Sequence, residues 1–182
     1  LAGDRQGEVV CLNGRTGDPV WNTTLPSPPQ WGATCLAVGD LHGDGALEIV
    51  TGTRDGAVVC LAGVSGDREW IYGGDLGTVM CPAIADLNGD GQPEVLVGTE
   101  KVSLVCLSAT GQELWRRHEG AGGSPFVYDT GGQGGLRILC GMGKRLHALD
   151  AGGNTLWSFP MNREMDSAIA IADADGDGVP EV

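Results

Sequence analysis

Oxygen-bearing side chains at alternate positions of a nine-residue stretch, closed by Gly and Glu, are what a hard cation needs. Ca²⁺ takes six to eight oxygen ligands, and a short loop supplies them only if it wraps tightly. The pattern D-x-[ND]-x-D-G-x-x-E occurs at Asp86-Leu87-Asn88-Gly89-Asp90-Gly91-Gln92-Pro93-Glu94 and at Asp173-Ala174-Asp175-Gly176-Asp177-Gly178-Val179-Pro180-Glu181. Asp40-Leu41-His42-Gly43-Asp44-Gly45-Ala46-Leu47-Glu48 is a near-copy with His at the third position. Asp129 to Arg137 keeps only its first Asp. The expected ligands come from positions 1, 3, 5 and 9, with the carbonyl of position 7. These are Asp86, Asn88, Asp90, the Gln92 carbonyl and Glu94; Asp173, Asp175, Asp177, the Val179 carbonyl and Glu181; and Asp40, Asp44, the Ala46 carbonyl and Glu48. His42 suits softer metals than Ca²⁺. An Asx-rich turn without metal is the bland alternative, and three copies in register weigh against it. The degenerate loop contains Asp129-Thr130-Gly131, a tripeptide also found in aspartic proteases. Such a protease needs two carboxylates sharing a proton, and the chain has no second D-T-G or D-S-G. Arg137 replaces the closing Glu and offers a guanidinium to Asp129 in place of an ion.

The loops also report an architecture. Their first Asp residues lie at 40, 86, 129 and 173, and Trp21, Trp70, Trp115 and Trp157 keep the same rhythm. A fixed period of 40-odd residues marks a repeat protein. Within the second repeat, Val79 to Asp86, Glu94 to Thr99, Val102 to Leu107 and Glu113 to Arg117 read as strands. They are short, rich in β-branched residues and bounded by Gly, Asp or Pro. No segment shows a helical period. Four strands per period predicts an all-β chain, a β-propeller of four-stranded antiparallel blades. Residues 1–182 hold four repeats, as a ring of four or as part of a seven- or eight-bladed ring, and read as a single domain. The periodic Trp residues fit packing between blades better than a ligand cage; Trp31 stands outside the pattern as a candidate exposed contact. Joined tail to head, Pro180-Glu181-Val182-Leu1-Ala2-Gly3 matches Pro93-Glu94-Val95-Leu96-Val97-Gly98. One blade is therefore expected to draw its first strand, around Ser167 to Asp173, from the tail and the others from the head. That pairing, within one chain or between two, would hide strand edges that otherwise template association.

A net charge of −13 excludes an electrostatic nucleic-acid binder. Ten acidic side chains sit in the three good loops, and three bound Ca²⁺ would cancel six of those charges. No stretch approaches the ~20 apolar residues of a membrane span. Cys11 and Cys35 of one repeat are matched by Cys60 and Cys81 of the next, and both are replaced together by Ala148 and Ala168 in the fourth. This predicts disulfides Cys11–Cys35 and Cys60–Cys81, third strand to the next first strand, with Cys106–Cys140 as a less regular pair. The alternative is buried free thiols, since Cys packs as a small hydrophobe. Asn22-Thr23-Thr24 is an N-glycosylation sequon. Oxidised Cys, Ca²⁺ and a sequon together point to a secreted, cell-surface or lumenal/periplasmic place.

The loop D-L-N-G-D-G-Q-P-E followed by V-L-V-G-T resembles the FG-GAP, or VCBS, repeat of integrin α-subunit propellers. The resemblance covers the whole chain and implies Ca²⁺ on one face of the ring. Segments such as Ala148 to Trp157 are similar to the tryptophan repeats of pyrroloquinoline-quinone enzyme propellers, in which the Trp docks between neighbouring blades. G-A-P itself is absent. The resemblance implies a calcium-stabilised extracellular or lumenal binding, adhesion or scaffold module rather than an enzyme, with a protein or glycan as partner. A propeller portion of a secreted polysaccharide lyase or quinone-dependent dehydrogenase is the rival class; its basic cleft or cofactor site is not visible in the eleven scattered Lys and Arg. A subunit that donates strands to a filament is the third. His42, His118 and His147 show no metal-site spacing by themselves. The Gly-rich runs at 120–123 and 131–135 precede no helix that could present its N-terminus to phosphate.

Overall fold

The computed structural model describes residues 1–25, 32–130, 135–165, 169–176 and 180–181. All described regular structure is β. Four antiparallel sheets follow one another along the chain, each a meander. The first holds β1 (Ala2–Gly3), β2 (Glu8–Leu12) and β3 (Pro19–Thr24). The second holds β4 (Ala33–Gly39), β5 (Glu48–Thr53), β6 (Ala57–Ala62) and β7 (Arg68–Gly73). The third holds β8 (Ala83–Ala85), β9 (Glu94–Thr99), β10 (Ser103–Leu107) and β11 (Glu113–Arg117). The fourth holds β12 (Phe126–Asp129), β13 (Leu136–Met142), β14 (Arg145–Leu149) and β15 (Thr155–Pro160). The first strands of successive sheets touch in order, β1 with β4, β4 with β8 and β8 with β12.

The core lies between sheets rather than within one. In β5 Ile49 enters the layer shared with the first sheet, while Val50 enters the layer shared with the third. In β6 Val59 and Leu61 face one way and Val58 and Cys60 the other. β9 and β10 repeat this, with Val95, Val97, Val105 and Leu107 on one face and Leu96, Leu104 and Cys106 on the other. The side-chain period of a strand is two, so a strand covered on both faces must be apolar throughout. β5, β9 and β10 are accordingly buried along their whole length. The outermost strands β3, β7 and β11 alternate instead with exposed residues. The first-strand segment in the third sheet is shorter than Val79 to Asp86 predicts; Val79 makes an isolated bridge to Thr99 ahead of β8.

The Trp residues join the layers. The indole N–H of Trp21 donates to the Gly63 carbonyl at 2.9 Å, Trp70 to Ala109 at 2.9 Å and Trp115 to Ala151 at 3.1 Å. Each acceptor lies in the turn between the third and fourth strands of the next sheet. Each turn also has a glycine at φ near +77°, Gly66, Gly111 and Gly153, whose Cα lies against the indole. A Cβ there would stand 2.5 Å from Trp21, 2.6 Å from Trp70 and 2.9 Å from Trp115. Glycine thus meets two needs at once, a left-handed turn and a flat seat for the ring.

The cysteines depart from expectation. The disulfide is Cys35–Cys81, with Cα atoms 4.9 Å apart and 46 residues between them in sequence. Cys11, Cys60, Cys106 and Cys140 are free, so the pairings Cys11–Cys35, Cys60–Cys81 and Cys106–Cys140 are not formed. The bond joins like positions of two repeats, where first strands of neighbouring sheets run side by side. Cys60 and Cys106 sit mid-sheet on third strands, each turned into a packed layer. Burial pushes the Cys106 and Cys140 thiols up to about 12, which holds both protonated in the folded chain. The tail strand expected around Ser167 to Asp173 lies partly outside the described residues, and the first sheet has three strands.

Two outcomes follow. Trp70→Ala removes both the indole packing and a hydrogen bond, and should lower unfolding free energy by ~3 kcal/mol or more in a denaturant titration. Peptide mapping under non-reducing conditions should recover Cys35 linked to Cys81 and alkylatable thiols at Cys60, Cys106 and Cys140.

Candidate metal centres

The nine-residue loops are the turns joining the first and second strands of a sheet. Their register is the same in each repeat. The residue before the first Asp pairs with the ninth loop residue: Gly39 with Glu48, Ala85 with Glu94, Tyr128 with Arg137 and Ala172 with Glu181. The backbone at position 2 then donates to the closing carboxylate, Leu41 to Glu48 at 2.8 Å, Leu87 to Glu94 at 2.8 Å and Ala174 to Glu181 at 2.7 Å. The Leu41 and Leu87 side chains are buried in the inter-sheet layers and anchor their loops to the core.

The first Asp organises the turn. Asp86 accepts from the backbone of Gly89 at 2.7 Å, Asp90 at 3.2 Å and Gly91 at 2.9 Å. Asp40 accepts from Gly43 at 2.7 Å, Asp44 at 3.2 Å and Gly45 at 2.9 Å. These backbone donors, Gly45 foremost, hold the Asp40 carboxyl below the usual range. A carboxylate has about four lone-pair sites, so each Asp keeps capacity for a cation. Asp173 accepts from Gly176 at 2.7 Å in the same manner.

The second and fourth loops carry the oxygen-donor residue types that Ca²⁺ takes. Asp90 and Glu94 both reach the Asn88 amide nitrogen, at 3.0 and 2.9 Å, so their oxygens converge. That N–H group stands in for the positive charge two carboxylates need between them. Glu94 is 5% exposed, and burial, with the charges of Asp90 and Asp86 behind it, pushes its carboxyl up. A bound dication would reverse that shift by supplying the missing charge. In the fourth loop Asp173, Asp175 and Glu181 each bring an oxygen within 4.8 Å of the others. Asp177 and Val179, expected ligands of this loop, lie outside the described residues. In the degenerate loop Arg137 donates to the Leu136 carbonyl at 3.1 Å, and its charge helps lower Asp150.

The first loop differs. His42 Nε2 lies 3.0 Å from Glu69 Oε2, and the bond raises the imidazole pKa. His42, Glu48 and Glu69 bring ligand atoms within 4.8 Å of one another. Spacing alone leaves Glu69 out, because it sits on β7, 27 residues beyond His42. The signal available was its place beside the periodic Trp, where Val20, Leu114 and Leu156 stand in the other repeats. His147, by contrast, is 3% exposed near Glu119, and burial lowers its pKa. Asn22 of the sequon is exposed on β3 and donates to Glu8 at 3.1 Å. Trp31 lies outside the described residues.

Solved structures share the fold. No known family and no curated protein matches the sequence. BamB from Moraxella catarrhalis superposes with a TM-score of 0.66 at 21% identity, over 93% of this chain and 48% of that one. The computationally designed Ika8 protein gives 0.70 at 18% identity, over 98% and 52%. This chain folds as a β-propeller. The Vibrio cholerae biofilm matrix protein Bap1 gives 0.64 at 17% identity, over 83% of this chain and 24% of that one. The chain thus spans about half the length of the first two propellers and a quarter of the third. No described helix is long and apolar enough to cross a membrane.

Asp90→Ala should remove one Ca²⁺ from the calorimetric stoichiometry. With Ca²⁺ at 100 times its Kd, the lost linkage is about 2.7 kcal/mol, or roughly 5–10 °C in Tm. In excess chelator the variant should melt close to the parent, since loss of the bonds from the Asn88 amide and the Gln92 N–H opposes the relieved repulsion of Glu94.

Proposed function

We propose that this propeller is a calcium-stabilised binding or scaffold module of the secreted, cell-surface or periplasmic space, not an enzyme. The observation that carries the reading is the buried Glu94 carboxylate, which closes the loop and shares the Asn88 amide with Asp90. Ca²⁺ there would fix the first hairpin of the blade at one end of the propeller. The Cys35–Cys81 bond supports an oxidising compartment. A biofilm matrix protein among the structural neighbours accords with an extracellular scaffold. An apolar hollow of about 390 Å³ beside the first loop, lined by Val38, Ala46, Leu47, Ile49 and Val64, offers a seat for an apolar group of a protein or glycan partner.

The two ends of the array complement each other. Trp157 is 42% exposed, and no described carbonyl accepts its indole N–H. The turn at Asn13–Asp18 has its own glycine, Gly17, at φ +77°, and nothing stands within 4 Å of a Cβ there. One end thus carries an indole without a turn, and the other a turn without an indole. The four blades match about half of propellers about twice as long, so further blades would complete the ring, those of a second copy among them. In that reading Trp157 of each copy docks on the Asn13–Asp18 turn of the other, a two-fold interface of identical patches.

Light scattering should give twice the 18.7 kDa chain mass, and Trp157→Ala should return the single mass without loss of calcium binding. A wild-type monomer would reject the paired ring. The module reading is tested by probing glycan and peptide arrays with labelled chain, with Ca²⁺ and with chelator. Calcium-dependent retention supports it; turnover of a retained ligand overturns it.

A further inference from the structure

We propose that the first loop is a site for a first-row transition dication of the zinc class, held by His42, Glu48 and Glu69, and not a calcium site. The inference is independent of the calcium reading at the other loops.

The chemistry begins with one substitution. Position 3 of the loop is Asn88 or Asp175 in the calcium-type loops and His42 here. The change removes a hard oxygen and supplies an imidazole nitrogen, which suits zinc, nickel and copper better than Ca²⁺. Position 9 remains a carboxylate, Glu48, 2% exposed and oriented by the Leu41 N–H at 2.8 Å. The third ligand comes from outside the loop. Glu69 Oε2 lies 3.0 Å from His42 Nε2. Two atoms bound to one zinc at about 2.0–2.2 Å each stand roughly 3.3–3.6 Å apart in tetrahedral geometry, so the pair need open by only a few tenths of an ångström to admit the ion.

The repeats of the chain supply an internal control. The residue before the periodic Trp is Val20, Glu69, Leu114 and Leu156. The three aliphatic residues are 59%, 51% and 47% exposed, so this position does not demand a carboxylate for folding. In the third blade the equivalent place is a hollow lined by Asn88, Glu94, Cys106 and Leu114. In the second blade the same four positions are His42, Glu48, Cys60 and Glu69. The His and the extra Glu occur in the same repeat, the only one to carry either. A surface ion pair would use His42 and Glu69 alone; here the closing Glu48 of the loop also brings an oxygen within 4.8 Å of both.

The surroundings are consistent with a cation. Glu69, Glu48 and Asp44 all act on His42 with negative charge. The Cys60 thiol lies behind the cluster and donates to Glu69 Oε2 at 3.7 Å, holding that carboxylate toward His42. Three protein ligands leave one zinc coordination position for water or a partner group.

The test uses the whole chain, stripped with chelator, dialysed and held in excess Ca²⁺. Titration with ZnCl₂ should show one bound equivalent, and Co²⁺ should give visible d–d absorption that Zn²⁺ displaces. Glu69→Leu, which copies the residue of the third and fourth blades, should weaken zinc at least tenfold and leave the calcium stoichiometry unchanged. His42→Asn, which restores the sequence D-L-N-G-D-G, should abolish zinc binding and raise the calcium stoichiometry by one. No zinc uptake by the wild type overturns the proposal, as does undiminished uptake in folded Glu69→Leu. Loss of calcium at the other loops with zinc retained at this one would reject the calcium reading alone.

Discussion

An indole laid across a glycine joins each blade to the next, and the rest of the chain is arranged around that contact. Trp21, Trp70 and Trp115 each place a flat apolar face on the glycine of the neighbouring turn and give their N–H to a carbonyl of the same turn. The ring contributes large apolar area, and its polar edge is satisfied, so the contact specifies geometry as well as energy. The spacing of Trp and turn must then repeat once per blade, which imposes the 40-odd residue period. The same constraint covers the middle strands on both faces. β5, β9 and β10 have lost the alternation of a half-exposed strand because a neighbouring blade lies on each side.

The loops work on a second constraint, at the first hairpin. A position-2 backbone N–H bonds the position-9 carboxylate, and three backbone N–H groups bond the first Asp. These bonds bring carboxylates together at the end of a rigid hairpin, where they repel one another. The Asn88 amide offsets part of that repulsion in the third blade, and His42 does so in the second. In the fourth blade Arg137 takes the place of the closing carboxylate. One backbone scaffold thus carries two ways of offsetting that repulsion, chosen by the side chain at position 3.

The cysteines show how a repeat can mislead. Equivalent placement of Cys11 with Cys60 and of Cys35 with Cys81 suggests the bonds Cys11–Cys35 and Cys60–Cys81. Equivalence in a stack of blades instead brings like positions side by side, so Cys35 meets Cys81 itself. The Cys60 and Cys106 thiols on the third strands face packed layers, and burial pushes both up.

The sequence by itself determined the β class, the four repeats, the strand order within each and the closing role of Glu48, Glu94 and Glu181. These are local properties: a period-two pattern, a turn glycine and a nine-residue loop are complete within one repeat. Asn88 and Asp90 were legible as partners for the same reason. Glu69 was not, because its meeting with His42 crosses from the first hairpin to the last strand of the blade. Nor was the partner of Cys35, the seat of each docked Trp or the exposed face of Trp157. Each depends on how one sheet lies against another, and that distance is set by packing between repeats rather than by any pattern within one.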